Sequence, residues 1–140
     1  MDLIVLDTNV VVSALRSRRG ASHRILELLA QDPPFRICLS VPLLFEYESI
    51  LFRAFGKSDA RIKPILDYMC SVAELEEIHF LWRPFLRDPG DEMVLEVAVG
   101  AGAHSIVTHN VKDFDGVESK FGIQVERPGE FLTRLRENEK

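Results

Sequence analysis

Acidic residues at three distant points of the sequence are the strongest candidates for chemistry. Asp7 follows the apolar run Leu3–Leu6, Glu46 lies in an amphipathic helical pattern, and Asp91 opens another such pattern. Three carboxylates meeting in one cleft would repel each other, at about 4 kcal/mol for each ionised pair ~4 Å apart with an effective dielectric of ~20. Bound protons or a cation would have to relieve that repulsion. Because every ligand would be an oxygen, the pattern predicts Mg²⁺ or Mn²⁺, ions suited to phosphodiester hydrolysis because they activate water and stabilise the leaving oxygen.

Each of these acids also has a purely structural explanation. Asp7, or Asn9 beside it, could cap the helix that follows the first strand, and Asp91 could be the N-cap of its own helix. Glu46 could be an exposed residue at a helix border, where charged side chains are usually solvated. Asp88, which precedes a proline, is interpreted as a turn residue.

Helical periodicity separates the inward-facing acids from the outward-facing ones. Glu46 lies at the border of an apolar stripe, whereas Glu48 lies further towards solvent. Asp91 shares a face with the apolar residues of its helix, and Glu92 and Glu96 are expected to form a separate outer row. No two histidines have a spacing typical of zinc sites, and all four are interpreted as surface or loop residues: His23, His79, His104 and His109.

Strands and helices alternate along the chain, which predicts an α/β fold with a parallel sheet and right-handed crossovers. The expected strands are Leu3–Leu6, Phe35–Leu39, Glu74–His79, Ser105–Thr108 and Ile123–Val125. The expected helices are Val10–Leu15, Ser22–Ala30, Val41–Phe55, Ala60–Ala73, Asp91–Val99 and Pro128–Arg136, with a frayed tail from Glu137 to Lys140. In such a sheet the carboxyl ends of the strands share one edge, where ligands bind. Asp7 and the segment Thr108–Asn110 would lie on that edge.

Length and composition favour a single cytoplasmic domain spanning residues 1–140. No apolar run approaches the ~18 residues of a membrane span, and Asp2 near the start argues against a signal peptide. Cys38 and Cys70 are interpreted as reduced core residues. The net charge of −5 weighs against nucleic-acid binding without excluding it, because a cluster of acids lowers the net charge and leaves local basic patches intact.

Five segments, in order, resemble the motifs of the PIN-domain family, and most closely the bacterial toxins of toxin–antitoxin pairs, the VapC-like ribonucleases. These segments are Leu6–Val10, Pro42 with Glu46, Asp88–Glu92 leading into Leu95 and Ala98, Ile106–Asn110 with Phe114, and Pro128–Leu132. The resemblance implies a Rossmann-like, three-layer α/β/α fold whose central, mostly parallel sheet has four to five strands. It also implies a metal-dependent endoribonuclease that cleaves single-stranded RNA with Mg²⁺ or Mn²⁺.

The resemblance further implies roles for individual residues. Asp7, Glu46 and Asp91 correspond to metal-binding acids, and Asn110 stands where the family often has a fourth acid. Asn110 could offer a carbonyl oxygen or hold a water. Asn9 and Thr108 are expected to orient the acids through hydrogen bonds. Asp113 could replace the fourth acid or cap a short helix.

Basic and aromatic residues suggest two interaction surfaces. The candidate phosphate contacts, which could equally belong to a solvated loop, are Arg16, Arg18, Arg19 and Arg24, with Arg53 and Lys57 as an extension. Phe45 and Phe52 lie seven residues apart, opposite the apolar stripe of Leu43, Tyr47, Ile50, Leu51 and Ala54. They predict a contact with the Ala60–Ala73 helix, which is preferred, with a second subunit of a homodimer, or with an antitoxin peptide.

Two other hypotheses remain beside the ribonuclease. The chain could be a non-catalytic PIN-like module that binds RNA or protein, with Asn110 as a sign of lost activity. It could also be a phosphatase-type hydrolase, which ranks last because such enzymes usually have a second Asp where this chain has Asn9.

Overall fold

The computed structural model describes residues 1–77 and 84–138. Within these residues one parallel sheet of five strands has the order β3-β2-β1-β4-β5. The strands are β1 (Asp2–Leu6), β2 (Phe35–Leu39), β3 (Glu74–Leu75), β4 (Ser105–Val107) and β5 (Gln124–Glu126). The α/β fold with a parallel sheet is confirmed.

Seven α-helices flank this sheet within the described ranges. They are α1 (Thr8–Arg16), α2 (Ala21–Leu29), α3 (Val41–Phe55), α4 (Ile62–Val72), α5 (Pro89–Ala101), α6 (Val117–Phe121) and α7 (Pro128–Asn138), and a 3₁₀ turn covers Val111–Phe114. None of them is long and apolar enough to cross a membrane.

The central strand β1 is apolar because both faces of the sheet are covered there. Ile4, Val5 and Leu6 are completely or almost completely buried. Leu6 pairs with Val107 of β4, and the Asp7 amide donates to the Val107 carbonyl at 2.9 Å. The ends of these two strands are therefore level, and Asp7 lies beside Thr108.

Helix α3 is fixed against the end of β1 by a buried tyrosine. Leu43, Tyr47 and Leu51 are fully buried on one face of α3, and the Tyr47 hydroxyl donates to the carbonyl of Leu6. Burial, with the nearby Asp7 carboxylate as a further cause, raises the pKa of Tyr47 well above its ordinary value, so the phenol stays a donor. This contact brings α3, and with it Glu46, to the edge where Asp7 lies.

Several predicted boundaries are wrong. Helix α5 begins at Pro89, with Asp88 as its N-cap, because Pro suits the first helical turn and the Asp88 Oδ1 accepts from the Gly90 amide at 2.7 Å. Asp91 is therefore inside the helix, and Asp88 is a cap. Helix α7 runs to Asn138. The expected fraying at residue 137 is therefore wrong, and residues 139–140 lie outside the described residues.

Other differences concern short or exposed elements. Strand β3 is only two residues long, and the rest of its predicted range, Ile78 and His79, lies outside the described residues. Helix α6 was not predicted. Ala54, predicted to lie in the apolar stripe of α3, is exposed, and Phe52 and Phe55 are the residues of that turn that pack against the core. Both cysteines are free thiols, Cys38 buried and Cys70 half-buried.

The histidines divide by exposure. His104 and His109 are exposed, as predicted, and His23 is half-buried in α2, where its ring Nδ1 lies 3.1 Å from the Ala14 carbonyl oxygen. His79 lies outside the described residues.

Candidate carboxylate site

Five carboxylates line one cavity at the carboxyl ends of β1 and β4. They come from the end of β1, from α3, from both sides of the α5 N-terminus and from the 3₁₀ turn: Asp7, Glu46, Asp88, Asp91 and Asp113. The other polar residues of the lining are Thr8, Asn9, Ser13, Arg16 and Asn110. The structure thus brings the three predicted acids together at one edge, and Asp88 joins them. We call this group of five acids and the space between them the carboxylate cavity.

Asp7 is the most deeply buried of these acids, at 6% exposure. Its Oδ1 accepts from the Thr8 amide and its Oδ2 from the Thr108 hydroxyl, both at 2.8 Å. Burial raises the pKa of Asp7, although the Thr108 hydrogen bond opposes the shift. Asp7 is also the N-cap of α1, so its structural and its chemical explanations hold for the same side chain.

A small hydrogen-bond network holds the Thr108 side chain. The Thr108 hydroxyl donates to Asp7. It accepts from the backbone amide of Asn110 at 3.0 Å and from the side-chain Nδ2 of Asn9 at 3.4 Å. The Asn9 Oδ1 in turn accepts from the His109 amide at 3.2 Å. These bonds connect the first residues of α1 to the exit of β4 and fix the orientation of the Asp7 carboxylate.

Gly90 allows α3 and α5 to approach each other at the cavity. A Cβ at this position would lie 3.1 Å from the Glu46 Oε1 and 3.1 Å from the Asp88 Oδ1, closer than side chains normally pack. The missing side chain therefore leaves room for two carboxylates beside the first turn of α5. Free amides at a helix N-terminus favour such negative charge.

Asp91 has a raised pKa because it is partly buried among the other acids of the cavity. Its pKa is raised to about 7, first by burial and then by the charges of the surrounding carboxylates. Those carboxylates are Asp7, Asp88, Asp113 and Glu46. Ionising Asp91 at neutral pH is therefore opposed by the surrounding acids unless a cation neutralises the charge.

The donors fit a hard divalent cation in type. All five side chains offer carboxylate oxygens, Asn110 adds an amide oxygen, and no histidine or cysteine lines the cavity. Within residues 1–77 and 84–138, however, no three Asp, Glu, His or Cys side chains are grouped closely enough to hold an ion as they stand. Side-chain movement towards the ion would thus have to complete the coordination, as expected for acids that repel each other without it.

Glu92 was wrongly predicted to lie on an outer row. It is only 8% exposed, and its Oε1 accepts from the Phe85 amide at 2.5 Å and from the Leu86 amide. It anchors the segment that leads into Asp88. Helical periodicity cannot reveal this role, because the partners of Glu92 are backbone groups of a preceding loop.

The predicted basic residues separate into two groups. Arg16 lines the carboxylate cavity. Arg18 and Arg19 are exposed in the loop before α2, and Arg24 is exposed on α2, 3.9 Å from Glu27. Arg53 is also exposed. Among the predicted phosphate contacts, Arg16 alone is next to the acids.

The preferred packing of the two aromatic residues of α3 is wrong for one of them. Phe52 is half-buried against the core, whereas Phe45 is 62% exposed, so α4 does not cover it. Val41, one turn earlier, is 59% exposed. The amino-terminal part of α3 therefore presents apolar side chains to solvent.

Comparisons with known proteins agree with this architecture. The sequence model of a PIN domain family matches residues 3–112. Among solved structures, VapBC2 from Rickettsia felis, bound to a DNA fragment from its promoter, contains a chain with a TM-score of 0.59 and 21% identity, over 89% of this chain and 98% of that chain. VapBC-1 from nontypeable Haemophilus influenzae gives 0.56 and 16%, over 91% and 98%. No curated protein matches the sequence. At these identities the two structures support the fold alone.

Proposed function

Because the chain belongs to the PIN domain family, we propose that it is a metal-dependent endoribonuclease that cleaves single-stranded RNA. The observation that carries the proposal is the carboxylate cavity, in which the pKa of Asp91 rises to about 7 through burial and the surrounding acids. A structural role does not require five acids around one space, because mutual repulsion only destabilises the fold.

In this proposal Asp7, Glu46 and Asp91 hold Mg²⁺ or Mn²⁺, and Asn110 contributes its amide oxygen at the position where the resemblance to the PIN-domain family implies a fourth acid. A bound ion would act as a Lewis acid on the phosphate and would lower the pKa of a water. Asp113 lines the same cavity, and its carboxylate would accept a proton from that water.

Positioning depends on the network around Thr108. The Thr108 hydroxyl and the Thr8 amide each donate to one oxygen of Asp7, which fixes the orientation of a carboxylate that lines the cavity. Asn9 supports Thr108 from the other side through its Nδ2. Loss of the Thr108 side chain would leave the Asp7 carboxylate with the Thr8 amide as its remaining donor.

Metal-dependent RNA cleavage is the direct test. A labelled single-stranded RNA should be cut in Mn²⁺ and remain intact in EDTA, and Glu46→Gln should remove the activity. Glu48→Gln is the matched control, because Glu48 is a half-buried acid of the same helix that does not line the cavity. Equal cleavage by Glu46→Gln and the wild-type protein would contradict the proposal.

A toxin of a toxin–antitoxin pair is the biological role that we propose, in the cytoplasm and as a homodimer. The two similar structures are those of VapBC2 and VapBC-1, and Phe45 and Val41 expose apolar surface that a protein partner could bury. Expression of the chain should arrest bacterial growth, and co-expression of the product of a neighbouring gene should relieve the arrest. Asp7→Asn should not arrest growth.

The alternative is a non-catalytic module that binds RNA or protein. It is favoured by Asn110 at the position of the fourth acid and by the lack of three preassembled ligands among the described residues. Thermal denaturation with Mn²⁺ separates the two hypotheses. A nuclease site should be stabilised by about 2.7 kcal/mol when the ion is at 100 times its Kd, and Glu46→Gln should lose this stabilisation.

A further inference from the structure

Arg16 is the one positively charged residue among the described residues that line the same space as all five acids, whereas Arg87 and Lys112 line an adjoining pocket with Asp88, Asp91 and Asp113. It is exposed at the last turn of α1, where the helix dipole favours a cation. Although five acids share this lining, Arg16 forms no ion pair with any described residue. Its guanidinium is therefore free to bind an anion from outside.

The Arg16 guanidinium packs against an aromatic ring. The guanidinium carbon of Arg16 lies 5.6 Å from the centroid of the Phe55 ring, at the end of α3. A cation–π contact of this kind is worth about 0.5–1 kcal/mol at an exposed site and restricts the side chain. The contact favours the position in which Arg16 lies beside the acids without pairing with them.

A second arginine braces the same ring. The Arg61 guanidinium carbon lies 5.2 Å from the Phe55 centroid, and the group donates to both Asp59 oxygens and, at 2.9 Å, to the Leu15 carbonyl. Asp59 neutralises Arg61, whereas Arg16 has no such partner. The bond to Leu15 also connects α4 to the residue before Arg16. The arrangement of Arg16, Phe55 and Arg61, which we call the arginine brace, therefore presents one uncompensated charge.

We propose that Arg16, held by the arginine brace, binds a backbone phosphate of single-stranded RNA next to the bond that is cut. This inference rests on the proposed ribonuclease function. A polyanion approaching five carboxylates needs a cation at the entrance, since the ions bound by the acids can neutralise only the phosphate at the centre. Guanidinium suits this role because its planar donors match phosphate oxygens.

Fluorescence anisotropy with a labelled single-stranded RNA tests this role without cleavage, if every protein carries Asp91→Asn. Arg16→Gln should weaken RNA binding about tenfold and reduce the slope of log Kd against log salt by about 0.7, the change for one phosphate contact on a single strand. Arg36→Gln is the matched control, because Arg36 is also exposed but pairs with Glu74 on β3. It should leave the affinity and the slope unchanged.

Two substitutions at Phe55 test the brace itself. Phe55→Leu keeps the charge of Arg16 but removes the ring, so RNA binding should weaken about threefold with the salt slope unchanged. Phe55→Tyr keeps the ring and should bind like the parent protein, which separates the loss of the brace from a loss of packing. Circular dichroism verifies the fold of each variant.

The outcomes separate this inference from the proposed function. If the wild-type protein cuts RNA but Arg16→Gln binds with the parent affinity and slope, the role of Arg16 is wrong and the nuclease stands. If the wild-type protein neither cuts nor binds RNA, both proposals are wrong. A loss of affinity in Arg16→Gln with the expected slope change supports the inference even if cleavage proves slow.

Discussion

Two groups of acids in this molecule differ in how their charge is neutralised. Asp2 and Glu126 are joined by Arg134, with N–O distances of 2.7 Å and 2.8 Å. We call these three residues the Arg134 cluster. The five acids of the carboxylate cavity have Arg16 beside them, but Phe55 holds it and no described cation pairs with them.

The difference shows which acids serve the fold and which require something from outside. In the Arg134 cluster the hydrogen bonds to Glu126 are the largest cause that raises the pKa of Arg134, so the ion pairs favour the charged forms. In the carboxylate cavity the pKa of Asp91 rises instead, because burial and its neighbours oppose ionisation. Removing a residue of the Arg134 cluster should therefore destabilise the folded protein, whereas removing an acid of the carboxylate cavity should relieve repulsion among the others.

The largest expected effect is on activity, at Asp7. Asp7→Asn should reduce RNA cleavage in Mn²⁺ by about 100-fold or more, because a neutral amide does not offset the charge of the ion and binds it more weakly than a carboxylate does. The melting temperature should stay within about 2 °C of the wild-type value, since the Asn oxygen can still accept from the Thr8 amide. Asp2→Asn, the matched change in the Arg134 cluster, should retain cleavage. Equal cleavage by Asp7→Asn and Asp2→Asn would contradict the functional difference between the carboxylate cavity and the Arg134 cluster.

A smaller effect, on stability, is expected at Arg134. Arg134→Met leaves Asp2 and Glu126 without their cation and removes the contact between Arg134 and the Phe131 ring at 5.5 Å. The free energy of unfolding in urea should fall by about 2–3 kcal/mol, since the partners are largely buried. RNA cleavage at 25 °C should be unchanged.

Arg36→Met provides the control for that measurement. Arg36 and Glu74 form an exposed pair at 3.4 Å, with side chains 55% and 44% exposed, so its loss should cost less than about 1 kcal/mol. Equal destabilisation by the two variants would show that the Arg134 cluster is no more than a surface pair.

The placement of Asp7 beside Thr108 could be predicted from the sequence because it follows from topology. Parallel strands end at one edge, and the apolar runs before both residues mark where those strands end. The helical periodicity placed Glu46 at the border of a helix face, but it could not show that Gly90 leaves room for the Glu46 carboxylate. That proximity depends on how two helices pack.

Pairings between side chains distant in sequence could not be predicted. Arg134 and Asp2 lie at opposite ends of the chain, and neither belongs to a local pattern that indicates the other. Glu92 was misplaced for a related reason. A buried acid satisfied by two loop amides has the same sequence signature as a solvated one. Phe45 was expected to pack on α4, yet the apolar pattern alone could not show that it is exposed.

The smallest expected effect concerns pH and Asp91. Its pKa in the folded protein is about 7, above the ordinary value of 3.8, so the folded state binds the extra proton between these values. The stability that this proton gives is present below about pH 4 and is lost as the pH rises through 7. Asp91→Asn has no such loss. In EDTA the melting temperature of the variant should therefore exceed that of the wild-type protein by about 2–6 °C at pH 8 and by much less at pH 5.

Mn²⁺ should abolish or reverse that difference at pH 8, because the ion stabilises the ionised cavity of the wild-type protein and the variant has lost one of its ligands. A matched pair in the Arg134 cluster, wild type against Asp2→Asn, should show no response to Mn²⁺. The pH dependence in EDTA and its suppression by the ion would together show that the repulsion among the acids is what the cation relieves. A variant that is no more stable than the wild-type protein at pH 8 in EDTA would mean that Asp91 is ionised without strain, and the contrast between the two groups of acids would fail.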